Sequence, residues 1–235
     1  MALPDDLAAT LPRTYVVLRA FNEGEVICDV INELATVFPN IVVIDDGSTD
    51  RTFDLLRELP VHVVTHLVNL GGGAAMQTGI TFALTLGAEY VITIDADGQH
   101  RVEDALRELR EIRKGNCDAV YGSRFLGEDA VAMPWSRKFV LKAGAFFSNL
   151  TTRTSLTDAH NGLRTFNRRA ASAIDLSQNG MAYASELIAQ LARHGMVIHE
   201  VPVRITYSEY SLRKGQSSMN FVNILIDLFL GKFLK

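Results

Sequence analysis

The 235-residue sequence contains only two cysteines, Cys28 and Cys117. They lack CxxC spacing and clustered histidines, which excludes a disulfide framework or a thiolate zinc site and suits a reducing compartment. Long apolar runs are missing too. The first thirteen residues carry Asp5 and Asp6 and do not read as a secretory signal, and no later stretch approaches the roughly twenty apolar residues of a spanning helix. The chain by itself is therefore expected not to cross a membrane. Neither sign of charge dominates. With a net charge of -4 and 21% charged residues, nothing suggests an electrostatic grip on nucleic acid, and any basic site must be local. Two nucleotide fingerprints are also absent. There is no GxxxxGKS loop, and no GxGxxG, because the first apolar run ends in Asn22-Glu23 instead of glycines. A dehydrogenase loses its main support.

What is present is 48% hydrophobic sequence, enough to bury a sizeable core within one folding unit. Short apolar runs at 15–18, 41–44, 61–65, 90–94 and 119–122 read as buried strands. Helical stretches are expected to about residue 37, from 52, over 74–86 and from 102, with 71–73 as a flexible glycine loop between them. Alternating strands and helices predict an α/β fold with a mostly parallel sheet covered on both faces. After Arg124 the alternation breaks. A helical stretch follows Pro134-Trp135 to about 149, a helix is expected at 184–194 and a strand at 197–206, and an apolar tail closes the chain.

In such sheets, ligands sit outside the carboxyl ends of the strands, and acidic residues stand there: Glu23, Asp45, Asp46, Asp95 and Asp97. A nucleotide diphosphate is itself anionic. Carboxylates beside it make sense where they contact base and ribose, or where they hold a hard cation against phosphate, which suits Asp95 and Asp97 with Gln99 as an added oxygen ligand. The plainer alternatives are that Asp97-Gly98 is a turn with Asp97 as a helix cap, and that the glycines merely permit a tight bend.

Five motifs then fall in one order: Ala20-Phe21-Asn22-Glu23, Val43-Ile44-Asp45-Asp46-Gly47-Ser48-Thr49-Asp50, Asn69-Leu70-Gly71-Gly72-Gly73, Asp95-Ala96-Asp97-Gly98-Gln99-His100 and Gly122-Ser123-Arg124. From residue 14 to about 218 the chain resembles glycosyltransferase family 2, most closely its polyprenyl-phosphate sugar transferases such as dolichyl-phosphate mannosyltransferase. The resemblance implies a single three-layer nucleotide-diphospho-sugar transferase domain of the GT-A type over 1–235. Its nucleotide-sugar and metal half is 14–125, its acceptor half 126–218, and 219–235 an apolar C-terminal helix. It implies a nucleotide-sugar site at Ala20, Asn22, Glu23, Asp46, Gly71, Asp95 and Ala96, with Asp97 and Gln99 on Mg²⁺ or Mn²⁺. Arg124, Arg137 and Arg164 match arginines that bind the acceptor phosphate, and Lys214 is a candidate to join them. Asp97 and Arg124 stand as the catalytic pair, and Glu186 also matches the family pattern or serves an arginine as partner.

The sequence departs from that subgroup at Gly72 and Ser218, where lysines are frequent, and in having no spanning helices. The expected reaction is inverting, metal-dependent transfer of a hexose from a UDP- or GDP-sugar to polyprenyl phosphate at the cytoplasmic membrane face. A saccharide hydroxyl acceptor is the alternative, with Asp158 as base, and a non-catalytic nucleotide-sugar-binding module the rival of another class. A nucleotidyltransferase would need a basic glycine loop after the first strand, where Phe21-Asn22-Glu23 stands. The tail at 219–235 either lies on the bilayer or docks on a membrane protein, or else closes the core.

Overall fold

The computed structural model describes residues 5–126, 154–180, 182–206 and 210. Seven strands form one sheet: β1 Thr14–Ala20, β2 Asn40–Asp45, β3 His62–Thr65, β4 Tyr90–Asp95, β5 Ala119–Ser123, β6 Arg164–Asn167 and β7 Ile198–Pro202. Among the described residues six α-helices accompany them: α1 Ile27–Ala35, α2 Thr52–Leu56, α3 Gly72–Thr85, α4 Val102–Ile112, α5 Arg168–Ser172 and α6 Tyr183–Arg193. The spatial order is β3-β2-β1-β4-β6-β5-β7, parallel throughout except for β6, which runs antiparallel to both β4 and β5. The predicted mostly parallel α/β sheet is therefore present, with one reversed strand wedged into it.

Both residue parities of the central strands are apolar because both faces are covered. Val16, Leu18, Val43, Ile92 and Ile94 pack toward α1 and α4, while Val17, Val42, Ile44 and Val91 pack toward α3, α5 and α6. Helix α4 buries Val102, Ala105, Leu106, Leu109 and Ile112 at the expected helical spacing. Each fully buried aliphatic side chain contributes about 1.5–3 kcal/mol.

The sequence places α3 too late. Gly72 and Gly73 are its first residues, and their lack of side chains serves close approach instead of flexibility. A Cβ on Gly73 would lie 1.9 Å from the carbonyl oxygen of Gln178, and one on Gly72 would lie 2.1 Å from Arg19 Nη1. The strand expected at 197–206 is shorter, ending at Pro202. The helical stretch near 134–149 and the tail at 219–235 lie outside the described residues.

Candidate active site

The carboxyl ends of β1, β2 and β4 are level: Ala20 is in register with Asp45, and Arg19 with Asp95. Chain order reverses around β1, since β2 leaves to one side and β4 joins on the other, which is where an open α/β sheet forms a crevice. A cleft of about 430 Å³ opens there. Of the residues singled out from sequence, Ala20, Glu23, Asp46, Gly71, Asp95, Ala96, Asp97, Gln99 and Arg124 line it.

Asn22 does not line the cleft and does a different job. It adopts φ 55°, and its Oδ1 accepts from the backbone N–H groups of Thr49 at 2.8 Å and Asp50 at 3.3 Å. Its own N–H donates to Ser48 Oγ at 2.9 Å, and that of Glu23 to Thr52 Oγ1 at 2.8 Å. The loops after β1 and β2 are thus laced into one rim. Asp46 ties in the next loop: Oδ1 accepts from the Leu70 N–H at 2.9 Å and lies 2.7 Å from His66 Nδ1, while Oδ2 accepts from the Gly71 N–H at 2.8 Å. Tyr210 donates its hydroxyl to Glu23 Oε2 at 2.7 Å, bringing the second half of the chain onto the same rim.

The floor is ionic. Arg19 donates from Nε to Asp95 Oδ1 at 2.8 Å, and its Nη2 lies 2.7 Å from the same oxygen. Burial alone would push the Asp95 carboxyl up, but the guanidinium beside it prevails and holds it below the usual carboxylate range. Asp97 makes no ion pair among the described residues. Burial, then the charges of Asp95 and Glu23, push it up to about 6. Gln99 Nε2 donates to Asp97 Oδ2 at 2.7 Å, so the expected pairing exists as a contact through the amide nitrogen; ligation through oxygen needs a half-turn of that amide, whose two ends are assigned from the hydrogen bonds.

Arg124 is held at the cleft by a fork. Its Nε and Nη2 donate to Asp158 at 2.6 and 2.7 Å, and its backbone N–H to the same carboxylate at 3.1 Å. Asp158 is 1% exposed and is held below its ordinary range against burial by that guanidinium. The structure thus shows Asp158 buried and positioning Arg124, a different role from the general base expected of it for a hydroxyl acceptor.

Arg164 does not line the cleft. It is 1% exposed in β6, with its guanidinium carbon 5.3 Å from the ring centre of Tyr121 and 5.7 Å from that of Tyr183, and with Nε and Nη1 unpaired. Among the described residues Glu186 meets no arginine, and it does not line the cleft. Its carboxylate accepts from Ser177 and Gln178 N–H groups, fixing the loop that packs on Gly73. Arg137 and Lys214 lie outside the described residues.

Sequence reasoning missed Arg19, His160 and Asn161 as cleft residues. His160 is neutral at pH 7, since burial and then the nearby Arg164 push it down to about 4. Asn161 is 2% exposed with Nδ2 unpaired, and its neighbour Gly162 admits Asp95, because a Cβ there would lie 2.2 Å from Oδ2. The signal for Arg19 was available: an arginine one residue before a strand end at which ligands bind.

Residues 15–175 match the family model described as Glycosyl transferase family 2. Over 94% of its length the chain is 30% identical to a UDP-N-acetylglucosamine--dolichyl-phosphate N-acetylglucosaminyltransferase of Methanococcus voltae, covering 97% of that protein. It is 31% identical to a polyprenol monophosphomannose synthase of Mycolicibacterium smegmatis, covering 96% of this chain and 88% of that one. The chain belongs to glycosyltransferase family 2 and is a glycosyltransferase. Among solved structures, glucosyl-3-phosphoglycerate synthase of Mycobacterium tuberculosis, crystallised with Mn²⁺ and UDP-glucose, superposes with a TM-score of 0.72 over 96% of this chain and 79% of that one. At 17% identity that likeness bears on the GT-A fold alone.

Proposed function

We propose that this glycosyltransferase moves a hexose from a UDP- or GDP-sugar to a polyprenyl phosphate, with inversion, at the inner face of the cytoplasmic membrane. The observation that carries the reading is the pairing within one cleft of Asp97, a carboxylate with no ion-pair partner among the described residues, and a carboxylate-forked guanidinium, Arg124. Relatives named for dolichyl-phosphate and polyprenol substrates support the acceptor class.

The donor set fits a hard divalent cation shared with its substrate. Asp97 and Gln99 offer oxygen ligands of the kind such a cation takes, and they would hold it against the donor's phosphate. Such an ion, Mg²⁺ or Mn²⁺, supplies positive charge to the departing nucleotide diphosphate. A neighbour of the same fold crystallised with Mn²⁺ and UDP-glucose supports divalent-cation use in general. Glu23, Asp46, Ala20, Ala96 and Gly71 line the nucleotide end, with Asn22 holding their loops in place.

The acceptor's phosphate oxygen forms the new bond to the anomeric carbon while the bond to the diphosphate breaks from the opposite side. A phosphate monoester with a second pKa of about 6 is already largely ionised at neutral pH and has no proton to lose. That accords with an acceptor end at which Asp158 is already paired with Arg124. Arg124 binds the acceptor phosphate together with Arg137 and Lys214, while Arg164 shapes the floor beneath. The apolar tail at 219–235 places the chain on the bilayer or on a membrane protein.

The test is nucleoside diphosphate release from UDP- and GDP-sugars, with Mn²⁺ or Mg²⁺, with and without a short polyprenyl phosphate. Turnover is expected to need one donor, the metal and the lipid phosphate together, and Asp97→Asn is expected to lower it by about a hundredfold or more. Release indifferent to the lipid would sink the acceptor assignment, and full activity of Asp97→Asn the metal assignment.

A further inference from the structure

We infer that Arg19 binds a phosphate of the nucleotide diphosphate, and that position 72 is glycine to admit its guanidinium. The inference rests on the donor reading above and extends it to a residue which that reading leaves out.

Arg19 lines the cleft, and its side chain keeps 19% exposure. Nε and Nη2 converge on one oxygen, Asp95 Oδ1, and the guanidinium lies 5.1 Å from the centre of the Tyr183 ring. These contacts fix its plane without using its whole donor set. Among the described residues Nη1 donates to no group, and it packs against the start of α3, where a Cβ on Gly72 would lie 2.1 Å from it. A side chain there, even one methyl group, would displace it.

The charges around the cleft call for such a cation. Glu23, Asp46, Asp95 and Asp97 line it, against Arg19 and Arg124, and Arg124 already holds the buried Asp158. A diphosphate entering among four carboxylates needs a protein cation besides any metal ion. Arg19 stands near enough to Asp97 for their charges to interact, so a phosphate oxygen shared with an ion on Asp97 falls within its reach. A planar guanidinium anchored on one edge and open on the other is well suited to a phosphate.

A phosphate could also reach Arg19 from the lipid acceptor, and the experiment separates the two sources. Binding of UDP, GDP and their parent nucleosides is measured by calorimetry, and the KM for polyprenyl phosphate by turnover, on the full chain and its variants. Arg19→Gln is expected to weaken the preferred nucleoside diphosphate by about tenfold to a hundredfold, to leave the nucleoside unchanged, and to leave the lipid-phosphate KM unchanged. Gly72→Ala is expected to weaken the same diphosphate in the parent chain and to have no further effect in Arg19→Gln. The double variant Arg19→Gln, Gly72→Lys returns a cation from the helix side and is expected to recover most of the affinity.

Unaltered discrimination between diphosphate and nucleoside in Arg19→Gln overturns the inference. So does a rise confined to the lipid-phosphate KM, or equal loss of nucleoside and diphosphate binding with a lowered melting temperature. A parent chain that binds neither UDP nor GDP overturns the donor reading itself, and this inference with it.

Discussion

The donor rim and the floor around β5 and β6 are built on opposite principles. On the rim, Asn22, Ser48, Asp50, Thr52 and Asp46 satisfy the backbone groups of neighbouring loops, so three chain segments hold one another before any ligand arrives. On the floor, charges are buried among aromatic rings and some are left without partners. Every orphaned buried side-chain atom among the described residues belongs to His100, Glu108, Tyr121, Asn161 or Arg164, and none to a residue before 100. An unpaired buried polar group costs about 1–3 kcal/mol, and among the described residues that cost falls outside the rim. The rim is thus held in place by its own hydrogen bonds, as the proposed donor site requires, while the floor depends on buried charges.

The comparison breaks most sharply at Asp158. Asp158→Asn removes the negative partner of a largely buried guanidinium, and a loss of about 3 kcal/mol in stability is expected from denaturant unfolding. The same variant is expected to raise the lipid-phosphate KM with nucleotide affinity kept, because Arg124 loses its anchor while the rim stays laced. Equal loss of nucleotide binding would show that the two regions are one unit.

A smaller effect is expected on the rim. Asn22→Ala forfeits two accepted backbone hydrogen bonds and sets a Cβ-bearing residue without a polar side chain at positive φ, costing about 2 kcal/mol. Asn22→Gly relieves the backbone part, so its melting temperature should fall between that of Ala and the parent. Nucleotide affinity should drop in both, and an unchanged value would unseat the lacing as a positioning device.

The smallest effect concerns Glu108, fully buried in α4, with Oε2 accepting from the Thr165 hydroxyl at 2.7 Å and Oε1 unpaired. Burial pushes its carboxyl well above the ordinary value, so it stays protonated in the fold while the unfolded chain ionises. Stability from this group is full at low pH and lost as pH rises past the unfolded value. Glu108→Gln has no such loss. Relative to the parent it should lose less stability between pH 5 and pH 8, read from melting at both.

Much of the fold was legible because buried parallel strands are short apolar runs, and β1, β2 and β4 stand where Tyr15, Ile41 and Tyr90 begin such runs. Reversed β6 was not, because Arg164-Thr165-Phe166-Asn167 is polar, too short for a period, and stabilised by pairing with strands distant in sequence. The glycines at 72 and 73 read as a loop because local propensity sees their flexibility and not the Gln178 carbonyl and Arg19 guanidinium that occupy the space.

By itself the sequence determined the alternation of elements, the acidic residues at the strand ends and the family, since these depend on residue type and short-range order. Only the tertiary structure decided which polar groups face the cleft, which brace it and which lie beneath it. From sequence Asn22 is expected at the nucleotide-sugar, Arg164 at the acceptor phosphate and Asp158 as an alternative base, and Arg19 has no assigned role. Their roles separate only when each charge or amide meets its partner, and partners as far apart as Arg124 and Asp158 are joined by chain folding.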